Sequence, residues 1–436
     1  MLACPPISVP DDLSTRHPAH SGTLPALDHL LNVSGLRHMH SRQFSPADAP
    51  ADTDWASVVR AAQFPASCSR LLLLEDDMSG AGVGMTARLT VAALLLAMRE
   101  SRVLLEVPVN GSWSHRNAHI AGSKTPRWCG AAPFTWRCFY RPWTHCSLPA
   151  PGIARVHTPR GPWPPARRRP VTQVKLSWIY AQGRMLYQHD VPGSEADRRI
   201  PRALSRAAYA HLWGNPRPWV RAQGQCLLRG LQKRGQFQTV HVRDSVEKRA
   251  EQKRLLPGGD VYAEIARGVA FVFGLDGVLL QTASPGSLAR FVGEASRDER
   301  LRTSHSDNPR SEHDTWGGLR GNVTLDSAVA AVNAWVGSHA SAFLSLKSST
   351  WTIFQAKLME ATGGEPLSNV TLACKGVGAS QKGLHREHLK LFVRRSVAAR
   401  ARRRTGDWAA AVVAAMNRSH TACAVVVERS RSAAAT

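Results

Sequence analysis

Residues 71–109 read LLLLEDDMSGAGVGMTARLTVAALLLAMRESRVLLEVPV, and this stretch decides the fold class. Its first four leucines form a short apolar run that ends at charged residues, which predicts a buried β-strand. A glycine-rich turn comes next, followed by the helix-like run VAALLLAMRE and by RVLLEVPV as a second strand. Strand, turn, helix and strand in this order predict a βαβ unit, and therefore an α/β protein.

The glycine-rich turn contains Gly80, Gly82 and Gly84, with Arg88 one helical turn further on. Glycines let a backbone approach a ligand closely, and a helix amino terminus offers free N–H groups to an anion. The spacing is neither that of a dinucleotide-binding fingerprint nor that of a Walker A loop. A tight structural turn therefore explains the pattern as well as an anion site does.

A second α/β segment begins near residue 237. FQTV leads into HVRDSVEK at 241–248, and AFLSL at 342–346 is a further strand candidate. The run GVAFVFGLDGVLLQTASPGSL fits strand and turn, with a helix from Ser287. SSTWTIFQAKLMEA fits a helix that has Ser348 or Ser349 as its N-cap.

Arg243 stands where the strand at 237–243 should end, and open α/β sheets bind ligands at the carboxyl ends of their strands. A guanidinium stays charged and can hold a phosphate through two parallel hydrogen bonds. The segment HVRDSVEK therefore predicts a site for a phosphorylated ligand. The alternative is a surface turn in which Arg243 pairs with Asp244 or Glu247.

Composition shifts divide the chain into four parts. Residues 1–54 are rich in Pro, His and Ser and predict a stem or low-structure arm. Residues 55–235 predict an amino-terminal α/β domain, and residues 236–375 a second α/β domain. Residues 376–436 are rich in arginine and predict a helical tail.

The net charge of +24 comes mainly from arginine. Between residues 107 and 189 there is no acidic residue, yet the segment has twelve basic residues and six of the thirteen tryptophans. An arginine bias of the genome explains part of this, and a preference for anionic partners is the other reading. Such a segment predicts a surface for an anionic or carbohydrate partner, with Arg167, Arg168, Arg169, Trp136 and Trp143 as its candidate residues, unless the tryptophans are simply packed inside a loop region.

Several features favour the secretory pathway. Five of the nine asparagines begin an N-x-Ser/Thr sequon, namely Asn32, Asn110, Asn322, Asn369 and Asn417. Eight cysteines are compatible with disulfides, and no C-x-x-C pair predicts structural zinc. The first residues, MLACPPISVPDDLS, do not form a signal peptide, and no apolar stretch is long enough for a transmembrane helix. We expect a protein of the Golgi or ER lumen whose anchor is unusual or not part of this chain.

Metal binding has little support in the sequence. Asp52-Thr-Asp54 has the D-x-D form that binds a metal and a sugar diphosphate in many glycosyltransferases, but it does not follow a strand. The fragments RHMHS and SHSD are more typical of solvated loops. We therefore expect no bound metal ion.

Three blocks, in this order, resemble the fucosyltransferase superfamily of α1,6-fucosyltransferases, nodulation fucosyltransferases and protein O-fucosyltransferases. GVGMTARLTVAALLLAMRESRVLLEV is similar to the family's G-x-G block before a helix and an apolar strand. TVHVRDSVEKRAE is similar to its H-x-R block, and FLSLKSSTWTIFQAKLME to its strand, serine pair and helix. TWRCFYRPWTHC is a weaker fourth match.

The resemblance implies a GT-B-like enzyme, with two Rossmann-like domains facing across a cleft, that transfers fucose from GDP-fucose with inversion and without a required metal. It implies that residues 236–375 form the nucleotide-sugar-binding domain, that no cofactor is needed beyond this donor, and that the basic, Trp-rich segment lies on the acceptor side. Arg243 would bind the donor diphosphate beside His241, and Ser348 and Ser349 would donate hydroxyl hydrogen bonds to it. Gly82 and Gly84 would line the cleft. Either Glu251 or Glu247 would take the acceptor's proton.

The chain departs from the family pattern at two places. Asp244 stands where many members have a second basic residue, which leaves Lys248 as the substitute donor-binding cation. Ala283 and Ser284 stand where many members have an acidic pair that reaches the guanine or ribose, so another nucleotide sugar is an open alternative.

Two other functions remain open: a non-catalytic secreted protein that binds polyanions or polysaccharides, and an inactive fucosyltransferase-like relative. No RRM, KH, zinc-finger or homeodomain pattern is found, so we expect no sequence-specific nucleic-acid partner. The expected partners are a nucleotide sugar and a glycan or glycoprotein acceptor.

Overall fold

The computed structural model of this chain describes residues 6–8, 52–75, 82–107, 136–147, 170–180, 202–244, 256–299, 301–308, 323–347, 349–374, 387–416 and 423–426. The chain forms two compact units. Unit A comprises residues 10–217, and unit B comprises residues 1–9 together with 218–436. Each unit combines helices with a β-sheet that contains parallel strands, so the predicted two-domain α/β fold is confirmed at that level.

Unit A contains the βαβ unit that residues 71–109 predict. Strand β1 (Leu71–Glu75), helix α2 (Val83–Arg99) and strand β2 (Val103–Val107) follow one another, and β1 and β2 are parallel. Strand β3 (Val171–Lys175) lies parallel on the other side of β1. The leucines of β1 are buried, because both faces of this central strand are covered. The unit also contains α1 (Trp55–Gln63) and α3 (Arg202–Trp213).

Unit B is built on a seven-stranded sheet with the order β10-β8-β9-β7-β4-β5-β6. Four neighbouring strands are parallel: β7 (Ala342–Leu346), β4 (Phe237–Val242), β5 (Gly277–Thr282) and β6 (Thr303–Ser304). The remaining strands continue the sheet in antiparallel fashion: β9 (Glu387–Arg394), β8 (Leu367–Cys374) and β10 (Cys423–Val426).

The helices of unit B are α4 (Pro218–Gln232), α5 (Gly259–Phe273), α6 (Pro285–Ala295), α7 (Val323–Gly337), α8 (Thr350–Gly363), α9 (Arg395–Thr405) and α10 (Trp408–Met416). One continuous apolar core joins α5, α9 and α10 to the sheet, and it includes Val240, Leu280, Leu344, Phe291 and Trp408.

Three sequence predictions need correction. The run GVAFVF is the last part of helix α5, not a strand, and Gly274 ends that helix in the left-handed conformation. An apolar run that is buried on all sides has no period that separates helix from strand. Residues 376–436 contain the predicted Arg-rich helix, α9, but they are not a tail, because they also supply β9 and β10 to the sheet. The boundary lies between Arg217 and Pro218, not at residue 235, because α4 packs on α7 and β5.

Disulfides connect distant parts of each unit. Cys68 is bonded to Cys146 in unit A, and Cys374 is bonded to Cys423 in unit B, where the bond joins the neighbouring strands β8 and β10. Cys138 and Cys226 are also disulfide-bonded. In the part of the chain that the structure describes, every helix is too short or too polar to span a bilayer.

Candidate functional site

The parallel strands of unit B contain a topological switch point between β4 and β7. The chain passes from β4 to β5 and then to β6 on one side, and β7 returns to the other side of β4. The connections after β4 and after β7 therefore leave the sheet in opposite directions and open a crevice at the carboxyl ends of the two strands. In open α/β sheets, this crevice is where ligands bind.

Three polar side chains form a row across these strand ends. Ser345 on β7, His241 on β4 and Gln281 on β5 are direct register partners in the parallel ladders. Residues in register on neighbouring strands point to the same face of the sheet. The Nδ1 atom of His241 lies 2.9 Å from the Ser345 hydroxyl, so the row is connected across the switch point.

The hydroxyls behind His241 fix its ring. The Ser345 hydroxyl donates its hydrogen to the main-chain carbonyl of His241 at 3.2 Å. Because this uses the only hydrogen of the hydroxyl, the Nδ1–H group of the imidazole donates to the Ser345 oxygen. Thr352 of α8 lies 2.8 Å from the Ser345 hydroxyl and 2.7 Å from the carbonyl oxygen of Leu346. With Nδ1 engaged in this way, the Nε2 atom of His241 makes no hydrogen bond with any described residue.

The imidazole of His241 is neutral at physiological pH. Burial and, to a smaller extent, the nearby positive charge of Arg243 together lower its pKa from 6.5 to about 3. A neutral ring can accept or donate one hydrogen bond through Nε2 without adding charge to the crevice.

Trp351 and Gln281 form the other wall of this row. The indole N–H of Trp351, in the first turn of α8, donates to the Gln281 side-chain oxygen at 3.0 Å. The amide nitrogen of Gln281 donates to the carbonyl of Asn333 on α7 at 2.9 Å. The Trp351 ring lies 5.9 Å from the His241 ring, centroid to centroid. A flat aromatic surface therefore borders the imidazole.

Asp244 is a buried structural carboxylate. It is 3% exposed, it accepts a hydrogen bond from the Ser287 hydroxyl, and Arg290 of α6 donates to it at 2.9 Å. Arg290 also lies 4.0 Å from Asp260. Asp244 therefore anchors α6 to the end of β4.

Arg243 lies directly after β4 and is partly buried. Its side chain is close enough to His241 for its charge to act on that ring. Arg243 and His241 thus both lie at the carboxyl end of β4, beside the switch point.

Ser349 is the N-cap residue of α8, but its side chain makes no capping hydrogen bond. The first turn of this helix contains no acidic residue, so its amino terminus faces the crevice with an uncompensated partial positive charge. The corresponding Ser284 at α6 behaves differently, because its hydroxyl accepts from the Ser287 N–H at 3.0 Å. The hydroxyl of Ser284 therefore caps its own helix, whereas the hydroxyl of Ser349 does not.

Several predicted site residues lie outside the described part of the chain: Glu247, Glu251, Lys248, Ser348, Arg167, Arg168 and Arg169, and the sequon residues Asn32, Asn110, Asn322 and Asn417. The fifth sequon residue, Asn369, is exposed on β8. Its side chain is therefore accessible for modification.

The glycine turn belongs to unit A. Gly82 is the N-cap of α2 with an ordinary negative φ, and a Cβ at this position would meet no atom within 4 Å. Gly84 is buried inside the first turn of α2. Neither residue has a left-handed backbone, so the backbone conformation does not require glycine at either position.

Trp136 and Trp143 do not form an exposed acceptor surface. They are 3% and 5% exposed and pack edge-on against Trp213 of α3. Trp143 also donates its indole N–H to the carbonyl of Leu212 at 3.1 Å. The expectation that these two rings stack on sugars is wrong, because the aromatic cluster is the core under this part of unit A.

Two metal-binding patterns have structural explanations. Asp54 of the D-x-D sequence is the N-cap of α1, and its carboxylate accepts hydrogen bonds from the N–H groups of Ala56 and Ser57. The hydrogen bond from the Ser57 hydroxyl is the main reason why the pKa of this carboxyl is lowered. Cys68, His145 and Cys146 lie together, but the two sulfurs form a disulfide. Neither group is arranged to hold a metal ion.

The comparisons with known proteins add no relative. No protein-family model and no curated protein matches this chain. The features that bear on function are therefore the crevice of unit B and the motifs in the sequence.

Sequence reasoning missed Gln281, Ser345, Trp351 and Thr352 as site residues. Ser345 and Thr352 belong to the run LSLKSSTWT at 344–352. A run so rich in hydroxyl side chains, where a strand is followed by a helix, was the sequence feature that could have indicated a site. Gln281 had no signal of its own, because only the strand register places it beside His241.

Proposed function

We propose that this chain is a GT-B-type glycosyltransferase that transfers fucose from GDP-fucose to a glycan or glycoprotein, with inversion at the sugar carbon and without a required metal ion. The observation that carries the proposal is the meeting of Arg243, His241 and the amino terminus of α8 at the β4–β7 switch point. A guanidinium and a helix amino terminus are the groups that stabilise a diphosphate in a crevice of this kind.

The diphosphate is bound as the leaving group in this proposal. When the acceptor hydroxyl attacks the anomeric carbon, the bond from that carbon to the phosphate oxygen breaks and GDP departs with the electron pair. Negative charge then grows on the phosphate oxygens, and Arg243 and the α8 N–H groups stabilise it where it develops. The acceptor's proton passes to a carboxylate, for which Glu251 and Glu247 remain the candidates.

His241 acts as a neutral hydrogen-bonding group in this mechanism. Because Ser345 engages Nδ1, the free Nε2 can contact a donor oxygen without repelling or attracting the diphosphate as a full charge would. The Trp351 ring beside it excludes water from one side of the crevice. His241 thus orients the donor, and Arg243 supplies the charge.

The expected compartment agrees with the covalent chemistry of the chain. Disulfides persist in oxidising compartments such as the ER lumen, and each unit contains a disulfide between described cysteines. The exposed sequon residue Asn369 is also consistent with that route. A lumenal glycosyltransferase would meet glycan and glycoprotein acceptors there.

The test is calorimetric binding of GDP, UDP and GDP-fucose to the wild-type chain and to Arg243→Ala, with and without EDTA. We expect GDP to bind more tightly than UDP, with no effect of EDTA. Arg243→Ala should bind about 10-fold to 100-fold more weakly, since a hydrogen bond to a charged group contributes about 1.5–3 kcal/mol. The exposed Arg297→Ala is the matched control and should bind like wild type.

Different outcomes separate the alternatives. Nucleotide binding without turnover of any acceptor, in a screen with GDP-fucose, would favour an inactive relative. Binding of no nucleotide by a folded chain would overturn the proposal and leave the polyanion-binding function. Tighter binding of UDP than of GDP would change the donor, as the loss of the acidic pair at Ala283 and Ser284 allows.

A further inference from the structure

Helix α9 carries a dense basic surface away from the switch point. Its buried side consists of Val397, Ala398 and Ala401, which belong to the core of unit B. Its solvent side has five exposed arginines and no acidic residue, and we call this group the α9 basic surface: Arg395, Arg400, Arg402, Arg403 and Arg404.

Two of these arginines are fixed by the rest of unit B. Arg404 donates to the carbonyl of Val272, near the carboxyl end of α5, at 2.8 Å. Arg400 donates to the Gln236 side chain at 3.0 Å. These contacts hold the helix and its charges in one place. Arg402 and Arg403, in contrast, make no ion pair and no side-chain hydrogen bond with any described residue.

The stability of the fold does not explain the whole cluster. Cations in the last turn of a helix interact favourably with its dipole, which accounts for one or two of the arginines. Like charges three or four residues apart, as in Arg400 with Arg403 and with Arg404, oppose that gain. A cluster that is costly to the isolated protein becomes favourable when an anion binds to it.

The surface lies at the edge of the sheet opposite the crevice. Val393, one residue from the end of β9, pairs with Ala342 at the amino end of β7, and Gln236 directly precedes β4. The His241 row stands at the other ends of these strands. A strand of this length spans roughly 20 Å, so an occupant of the α9 basic surface does not compete with a ligand in the crevice.

The neighbouring side chains favour a sugar polymer. Phe271 of α5 is 58% exposed and directly precedes Val272, the residue that holds Arg404. Lys233, exposed at the end of α4, extends the positive charge toward Gln236. Guanidinium groups hold carboxylates and sulfates through paired hydrogen bonds, and an aromatic face packs on the apolar face of a sugar ring.

We propose that the α9 basic surface binds an anionic polysaccharide bearing sulfate or carboxylate groups, at a site separate from the switch-point crevice. The disulfides favour this polymer over a nucleic acid, because oxidising compartments contain acidic glycans. The site would tether the protein to an acidic glycan matrix or to an acidic acceptor chain. It does not depend on the glycosyltransferase proposal.

The test compares two double variants that change the net charge equally. Arg402→Gln/Arg403→Gln removes the two arginines that lack described partners, and Arg60→Gln/Arg99→Gln removes two exposed arginines of unit A as the control. Binding of heparin, polygalacturonate and neutral dextran is measured by interferometry on the full chain at two salt concentrations. Circular dichroism and thermal unfolding check that both variants fold.

We expect the wild-type chain to bind an anionic polysaccharide, to lose affinity steeply with salt, and to ignore dextran. Arg402→Gln/Arg403→Gln should bind about tenfold more weakly with a shallower salt dependence, while the control binds within about twofold of wild type. Phe271→Ala should weaken polysaccharide binding and leave GDP binding unchanged.

Three results would overturn the proposal. One is equal weakening in both double variants, which would mean that only net charge matters. The second is the absence of binding to either anionic polysaccharide. The third is tighter binding of single-stranded DNA or of anionic lipid vesicles than of polysaccharide under the same conditions.

Discussion

The sequence identifies His241 as a candidate site residue, but the protonation state and the orientation of its ring depend on the residues around it. The H-x-R pattern predicts that it lies beside a ligand site. Its neutral state comes from burial and from Arg243, and its orientation comes from a hydroxyl on another strand. The sequence named the residue, and the fold decided which ring nitrogen remains for a ligand.

The titration of His241 should make stability depend on pH. Its folded-state pKa is depressed, so its contribution is fully present above the unfolded value of 6.5 and is lost as the pH falls toward about 3. We expect about 2 kcal/mol of the free energy of unfolding to be lost between about pH 7.5 and about pH 5 through this group.

Chemical denaturation at several pH values, on wild type and on His241→Gln, measures this slope as a difference between the two proteins. His211 and His339 also have lowered pKa values through burial, and they remain in both proteins. The exposed His145→Gln is the control and should retain the slope of wild type. Identical slopes in wild type and His241→Gln would refute the prediction.

Asp244 gives a second prediction for a single residue. Asp244→Asn removes a buried charge that Arg290 and Ser287 bind, and should lower the free energy of unfolding by about 1–3 kcal/mol. Asp260→Asn is the matched control, because Asp260 is half exposed and lies 4.0 Å from the same arginine. It should change stability by less than about 0.5 kcal/mol. Urea denaturation measures both, and equal effects would contradict the anchoring role.

At the scale of elements, α6 and α8 start in similar ways but do different work. Each follows a parallel strand and begins at a buried serine. The Ser284 hydroxyl is committed to its helix, and the Ser349 hydroxyl is not. The amino terminus of α6 is therefore capped by its own serine side chain, whereas the amino terminus of α8, at the crevice, has no side-chain cap.

This difference predicts opposite effects of the same substitution. Ser284→Ala should destabilise the protein by about 1 kcal/mol, because a capping hydrogen bond is lost. Ser349→Ala should leave stability nearly unchanged and weaken GDP binding several-fold. Thermal unfolding and calorimetry on both variants separate the two effects. A Ser349→Ala protein that binds GDP like wild type would exclude this hydroxyl from the site.

For the whole molecule, the Cys374–Cys423 disulfide links the edge of the sheet in unit B across 49 residues. Those residues include β9, α9 and α10, so the bond limits how far this part of the chain can expand when it unfolds. Replacing both cysteines with serine should lower the free energy of unfolding by about 2–4 kcal/mol. Denaturation of the double variant under non-reducing conditions tests this, and an unchanged midpoint would show that the edge strand is held by packing alone.

Local patterns in the sequence determined much of this protein. The βαβ unit at 71–109, the strands at 237–242 and 342–346, and the helix that starts at Ser349 all follow from runs whose period or capping residues allow one structure. The position of Arg243 at a strand end followed from the same local pattern. Such features depend on neighbours along the chain, which the sequence contains.

The tertiary structure alone decided the features that depend on contacts between distant segments. Strand order made the β4–β7 switch point and brought Ser345 and Gln281 beside His241. Packing buried Trp136 and Trp143, and it placed strands of the sheet on both sides of the helices in the expected Arg-rich tail. Burial and strand register depend on contacts between residues that are far apart in the sequence, and therefore no local pattern specifies them.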